Sequence, residues 1–198
     1  MVFVLLPIMS VDRYVAICNP LRYATIMNNR LCIQLVIGSW LASLLYISGP
    51  TVIITRLPFC GPNVINHFFC DSAALMHLAC VDTGFIELVI GLISMVMLIC
   101  SLALTILSYT FIICTVLKIP VTGGRGKTFS TCSSHLVMVT IAYGSSIFIE
   151  VSPALNPSIE LYKSVNMFSS FISPLMNPLV YTFKNNQFKE AFRTLLRR

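Results

Sequence analysis

Four stretches of the chain carry no Asp, Glu, Lys or Arg over a length that spans hydrocarbon: residues 31–55, 88–117, 128–149 and 164–183, of 25, 30, 22 and 20 residues. A helix needs about 20 mostly apolar residues to cross a bilayer, so each stretch predicts one crossing. At about 1.5 Å per residue the second reaches about 45 Å, and it is expected to tilt or project beyond the membrane. Helices buried in a soluble bundle are the alternative, but four such runs leave too little amphipathic helix to shield them. The N-terminal run differs. Val2–Ile8 is apolar but short, and Asp12 and Arg13 follow at once. It has neither the basic start nor the small-residue cleavage site of a signal peptide, and it reads as the inner part of a membrane helix. At the other end, residues 184–198 place Phe188, Ala191, Phe192 and Leu195 at three- and four-residue spacing among basic residues. That pattern predicts an amphipathic helix on an anionic leaflet, with a plain solvated tail as the alternative.

Composition agrees. Of 198 residues, 57% are hydrophobic and 10% charged, against about 45–50% and about 25% in soluble domains. This excludes an ordinary soluble enzyme, a disordered chain and a basic DNA-binding domain. The net charge of +6 is explained by placement. Arg13, Arg22, Arg30, Lys118, Arg125, Lys127, Lys184, Lys189, Arg193, Arg197 and Arg198 fall on one side of the alternating crossings. Arg56 and Lys163 fall on the other, beside Asp71, Asp82, Glu87, Glu150 and Glu160. The positive-inside rule makes the basic side cytoplasmic, with the C-terminus inside. No nucleic-acid partner is needed, since the cations form no phosphate-tracking stripe.

Cys18, Cys32, Cys100, Cys114 and Cys132 lie in or beside apolar runs and read as reduced core-type residues. Cys60, Cys70 and Cys80 share one polar loop, expected to face an oxidising compartment. Their spacing is compatible with several pairings. His67, Cys70 and Asp71 are suitable transition-metal ligands, but one His and one Cys fall short of the four ligands of a structural zinc site. Neither metal nor cofactor is expected.

Asp12-Arg13-Tyr14 stands within Met9-Ser10-Val11-Asp12-Arg13-Tyr14-Val15-Ala16-Ile17-Cys18-Asn19-Pro20-Leu21-Arg22-Tyr23. This run resembles the signature of the vertebrate olfactory (odorant) receptors, a branch of the rhodopsin-like G-protein-coupled receptors, which carry Ala-Tyr where Ser10-Val11 stand. Ser108-Tyr109, the run Lys127–Leu136 and the run Pro174–Tyr181 resemble further family blocks in the same order, and Pro153–Pro157 fits the family's short outer loop between the last two helices. The resemblance implies an all-α membrane protein, a partial seven-transmembrane helix bundle. Residues 1–24 would be the inner end of helix three and its loop. Residues 30–56 would be helix four, 57–83 the second extracellular loop, 84–118 helix five, 126–150 helix six, 160–183 helix seven and 184–198 the cytoplasmic helix eight. Helices one and two and the outer half of helix three are expected to be missing, as in an N-terminally truncated receptor.

The same resemblance assigns residue roles. Asp12, Arg13, Tyr14, Tyr109, Asn177, Pro178 and Tyr181 would form the coupling and switching machinery facing the G-protein α-subunit. Arg13 keeps its charge, and an ion at the membrane edge is costly unless solvated or paired; a snorkelling interfacial arginine is the plainer reading. At rest Arg13 would be restrained by Asp12. Pro174 and Pro178 can kink the last crossing, although an ordinary kinked helix does the same without switching. The pocket candidates are Ser94, Met97, Ala142, Tyr143, Ser146 and Ile147. The family pattern implies a Cys60–Cys80 pair and a Cys70 whose partner on helix three is missing. Thr122–Gly126 holds three glycines where relatives carry more charge, so that loop is expected to be loose.

The function expected is therefore a non-enzymatic odorant receptor in the plasma membrane. It would bind small volatile organic molecules and act on a heterotrimeric G protein of the olfactory stimulatory type, with the lipid bilayer as its other partner. One alternative is a non-signalling product retained in the ER or acting only with full-length receptors. A transporter or channel is the distant alternative, disfavoured because the long crossings hold no Asp or Glu and the chain shows no repeated halves.

Overall fold

The computed structural model describes residues 2–60, 64–65, 72–118, 125–155, 158–172, 175 and 194. The described elements are helical apart from one isolated bridge between Phe59 and Ala79. They are α1 (Val2–Cys18), a 3-10 turn (Pro20–Arg22) running into α2 (Tyr23–Ile26), α3 (Asn29–Thr55), α4 (Ser72–Met76), α5 (Gly84–Lys118), α6 (Arg125–Leu155) and α7 (Ile159–Met167). A π-helical turn, Phe168–Ile172, follows α7. The chain forms two compact units, Met1–Phe111 and Ile112–Arg198.

Helices α3 and α5, and the stretch His135–Ser152 of α6, are long and apolar enough to cross a membrane. Their burial runs opposite to that of a soluble helix. Along α3 the protected stripe is Leu35, Ser39, Ser43, Tyr46, Pro50 and Ile54, recurring every three or four residues. Ser39 is 2% exposed while Leu45 is 75% exposed. Small residues let helix backbones approach, and large apolar ones face lipid at no cost. On α5 the buried stripe is Leu98, Ser101, Thr105, Ser108, Tyr109, Ile112 and Val116, and on α6 it includes Cys132, His135, Met138, Val139, Ala142 and Tyr143.

Local chemistry sets the ends. Pro20 disfavours helical geometry at the residue before it, and Asn19 sits at φ −133° and ψ 57°. The chain therefore bends by 112° between α1 and Pro20–Ile26. Asn28 caps α3, its side-chain oxygen accepting from the Leu31 N–H at 2.9 Å. Asp82 accepts from the Gly84 N–H at 2.9 Å, and Glu87 and Lys118 stand at the ends of α5 that favour their charges. Ser158 caps α7 by accepting from Leu161.

The helix expected over 30–56 begins one residue earlier, and the one expected over 84–118 coincides with α5. One boundary needs correcting: Pro153–Leu155, read from sequence as loop, continue α6. Proline forfeits its own N–H bond but holds a helical φ, so the last turn carries on through it. Helix seven is described from Ile159 to the π-helical turn. The rest of it apart from Leu175, and the tail apart from Thr194, lie outside the described residues.

Within the first unit α1 packs on α3, and α4 packs on α3. The loop from α3 returns alongside itself, with Cys80 N–H donating to Pro58 C=O at 2.9 Å and Cys60 N–H to Leu78 C=O at 3.2 Å. A disulfide joins Cys60 to Cys80 across this bridge, with Cα atoms 5.5 Å apart. Cys70 lies outside the described residues. In the second unit α7 and the π-helical turn pack on α6, and Ser145 donates to the Ser169 hydroxyl at 3.2 Å. Replacing Cys60 and Cys80 together with Ala is expected to destabilise the first unit by about 3 kcal/mol through the loop entropy released. Thermal unfolding in detergent micelles, together with non-reducing peptide mapping of the parent chain, checks this.

Candidate functional site

The Asp-Arg-Tyr triplet occupies the last turns of α1, just before the 112° bend. Asp12 and Arg13 line a hollow of about 230 Å³ with Met27, Cys32, Leu35 and Ser39. The bend brings Tyr23 back over this corner, and its hydroxyl donates to Asp12 Oδ1 at 2.9 Å. Arg13 Nε lies 3.9 Å from Asp12 Oδ2, with both side chains about one-third exposed at 33% and 31%, and that is beyond hydrogen-bond range. A hydrogen bond to a charged group contributes about 1.5–3 kcal/mol, whereas an exposed ion pair contributes about 0.2–1 kcal/mol. Tyr23 therefore governs the Asp12 carboxylate more than Arg13 does.

The Tyr23 phenol is raised above its ordinary value of 10.0, first by the hydrogen bond to Asp12, then by burial and by the Asp12 charge, with Arg13 opposing. A raised phenol means the bond is intact below that ordinary value and is lost as pH climbs through the folded-state pKa. Tyr14 points elsewhere: its ring meets that of Phe111 at 5.8 Å between centroids, tilted by 53°. Cys18 Sγ donates to the Phe111 carbonyl at 3.8 Å, a second tie between α1 and α5. Tyr109 is buried on α5. Asn177, Pro178 and Tyr181 lie outside the described residues.

The pocket candidates fall in both compact units. Ser94 is engaged by the Tyr46 hydroxyl at 2.7 Å, tying α3 to α5. One turn on, Met97 lines a cavity of about 460 Å³ with Phe3, Pro7 and Val11 of α1, Ala42 of α3 and Leu104 of α5. Its lining is almost wholly apolar, as is usual for small-molecule sites of this size. In the second unit Ala142 and Tyr143 are buried on α6, Ser146 donates to the Ala142 carbonyl at 2.8 Å, and Ile147 is exposed. Among the described residues no group of three or more His, Cys, Asp or Glu side chains is placed to hold a metal ion. His67, Cys70 and Asp71 lie outside them.

Sequence reasoning gave no role to Tyr23 or Tyr46. Tyr23 stands eleven residues from Asp12 and Tyr46 forty-eight from Ser94, and neither spacing is the three or four residues at which side chains of one helix touch. The Asn19-Pro20 bend is the signal that the chain turns back toward α1.

Membrane-length helices whose packing stripes carry small hydroxylated residues, preceded by a shorter helix that ends in an Asp-Arg-Tyr corner, fit a partial bundle of the G-protein-coupled receptor class. The sequence profile described as olfactory receptor matches residues 3–198, and the chain belongs to the olfactory receptor family. It is 48% identical over 196 residues to human olfactory receptor 6C76, covering 99% of this chain and 63% of that protein. It is 49% identical over 194 residues to human olfactory receptor 6T1, covering 98% and 60%. With mouse olfactory receptor 6E1 it shares 49% identity over 192 residues, covering 96% and 61%. The chain thus spans less than two thirds of the length of these curated relatives. The family is one of multi-pass membrane receptors, not of enzymes.

Two measurements check these contacts. In micelles, a double-mutant cycle on Tyr46→Phe and Ser94→Ala is expected to return a coupling of about 0.6 kcal/mol, within the range for polar pairs between membrane helices. Asp12→Asn is expected to lower the Tyr23 phenol toward its ordinary pKa, read by NMR titration of ring-labelled tyrosine.

Proposed function

We propose that this chain is an odorant-receptor sequence whose Asp12–Arg13 corner engages a heterotrimeric G protein of the olfactory stimulatory type. Small volatile organic molecules are its ligands, with Ser94 and Met97 as the candidates in the first unit and Ala142, Tyr143, Ser146 and Ile147 as those in the second. The observation that carries the coupling role is Arg13 itself, a permanent cation at the end of α1 that is one-third exposed and only loosely paired with Asp12 at 3.9 Å. Leu21, on the turn beside it, is 97% exposed, an apolar side chain offered to a partner rather than to the protein. The excess of Lys and Arg on this side of the crossings supports a cytoplasmic location for the corner and for the C-terminus. The receptor is placed in the plasma membrane as a multi-pass protein.

The test uses residues 1–198 in lipid nanodiscs, titrated with purified stimulatory heterotrimer in its nucleotide-free form. Wild-type chain is expected to bind, and Arg13→Ala to weaken binding at least tenfold, equivalent to about 1.4 kcal/mol. No binding by wild type, or equal binding by the variant, overturns the coupling role.

A further inference from the structure

We propose that the cavity of about 460 Å³ between α1, α3 and α5 is a binding site for a neutral carbonyl compound with an aliphatic body, such as a ketone, whose oxygen accepts a hydrogen bond from the Tyr46–Ser94 pair at the end of the cavity. The inference rests on the reading of this chain's ligands as small organic molecules, and it adds their chemical class.

The walls set the body of the ligand. Phe3 and Val11 of α1 line the cavity with Ala42 of α3 and Met97 and Leu104 of α5. No charged side chain is among the lining residues, so an ionised ligand would sit in hydrocarbon without a partner, which is costly. Phe3 and Val11 stand eight residues apart, about 12 Å along a helix, and the apolar wall therefore has the extent for an aliphatic chain. Leu104 is 52% exposed and Cys100 is exposed as well. The cavity thus opens sideways between membrane-length helices, and a compound dissolved in the bilayer reaches it from there.

The polar end comes from an exception among the hydroxyls. Ser39, Ser43, Thr105 and Ser108 each donate to a carbonyl four residues back on their own helix. Ser94 does not. Among the described residues its hydrogen-bond partner is the Tyr46 hydroxyl at 2.7 Å, and Tyr46 has no other. Two hydroxyls carry two protons, and the single bond between them uses one. The other is left where no water meets it, whichever of the two residues holds it. Ala42 stands one turn before Tyr46 on α3, and Met97 one turn after Ser94 on α5. The pair is therefore one turn beyond the wall that Ala42 and Met97 form, and it is only partly buried. A carbonyl oxygen takes the spare proton and brings no donor of its own that apolar walls would leave unmet.

The experiment uses residues 1–198 in lipid nanodiscs with carbon-13-labelled methionine methyls. NMR follows Met97 in the first unit and Met138, buried on α6, in the second. 2-Octanone and octane are titrated, with each concentration expressed as a mole fraction in the bilayer. Both are expected to shift the Met97 methyl saturably, 2-octanone at a midpoint at least threefold below that of octane. In the Tyr46→Phe/Ser94→Ala double variant the two midpoints are expected to converge while that of octane stays unchanged, which shows that the cavity itself is intact. If the double variant loses the octane response too, Tyr46→Phe alone is read by the same ratio and is expected to lower it at least twofold. Equal midpoints in wild type, or a preference that survives removal of both hydroxyls, overturns the carbonyl anchor. A Met97 response that never saturates with either compound overturns the site. A response at Met138 without one at Met97 removes this site and leaves the odorant reading standing, whereas silence at both methyls counts against that reading as well.

Discussion

A hydroxyl in hydrocarbon has no water to bond, and this constraint organises the helices of the chain. All five Ser and Thr side chains of α3 donate to carbonyls of their own helix: Ser39 to Leu35 at 2.6 Å, Ser43 to Ser39 at 2.7 Å, Ser48 to Leu45 at 3.0 Å, Thr51 to Ile47 at 2.8 Å and Thr55 to Thr51 at 2.9 Å. Thr105, Ser108 and Thr110 do the same on α5, and Thr140, Ser145, Ser146 and Ser152 on α6. Such back-bonding is mildly unfavourable in water, where the side chain has better choices. In lipid it satisfies the hydroxyl locally, so a small polar side chain can sit on a packing stripe without demanding a partner across the interface. The large apolar side chains are then released to the outside, which is why α3 buries serines and exposes leucines.

The same constraint explains how much was legible beforehand. Charge-free runs mark crossings because Asp, Glu, Lys and Arg cannot be satisfied by their own helix in this way. The bounds of α5 follow from Asp82 and Glu87 at one end and Lys118 at the other. The end of α6 differs because the family resemblance assigns Pro153–Pro157 to the short outer loop, while the helix runs on to Leu155 and needs only to lose one N–H bond. Which stripe of each helix faces protein was not legible, since every face is apolar enough for lipid and periodicity carries little information there. For the three loop cysteines, spacing left the pairing open; the family pattern implied the Cys60–Cys80 bridge, and the structure holds it where backbone bonds draw residues 58–60 and 78–80 together.

The Asp12–Arg13 corner shows where a motif stops being informative. Three consecutive letters locate the acid and the base, and adjacency invites the assumption that they restrain one another. Helical geometry points them apart, and the acid's nearer partner comes from beyond a bend. That bend is written in Asn19-Pro20, but its direction is a matter of three-dimensional packing against α1 and α3. The pocket residues are similar. Ser94 is a pocket candidate through the family resemblance, and its hydroxyl is already engaged by Tyr46. Met97, one turn away, is the candidate that borders open volume.

Helices that bond their own hydroxyls are closed objects, with their polar demands met before they touch a neighbour. Turning such a rod about its long axis, or sliding it past the next, disturbs shape more than it breaks polar links; between α3 and α5 the described latch is Tyr46 against Ser94. Friction in this assembly comes from knobs and notches, so small shifts of a whole helix are cheaper here than they would be in a bundle cross-braced by serines and threonines.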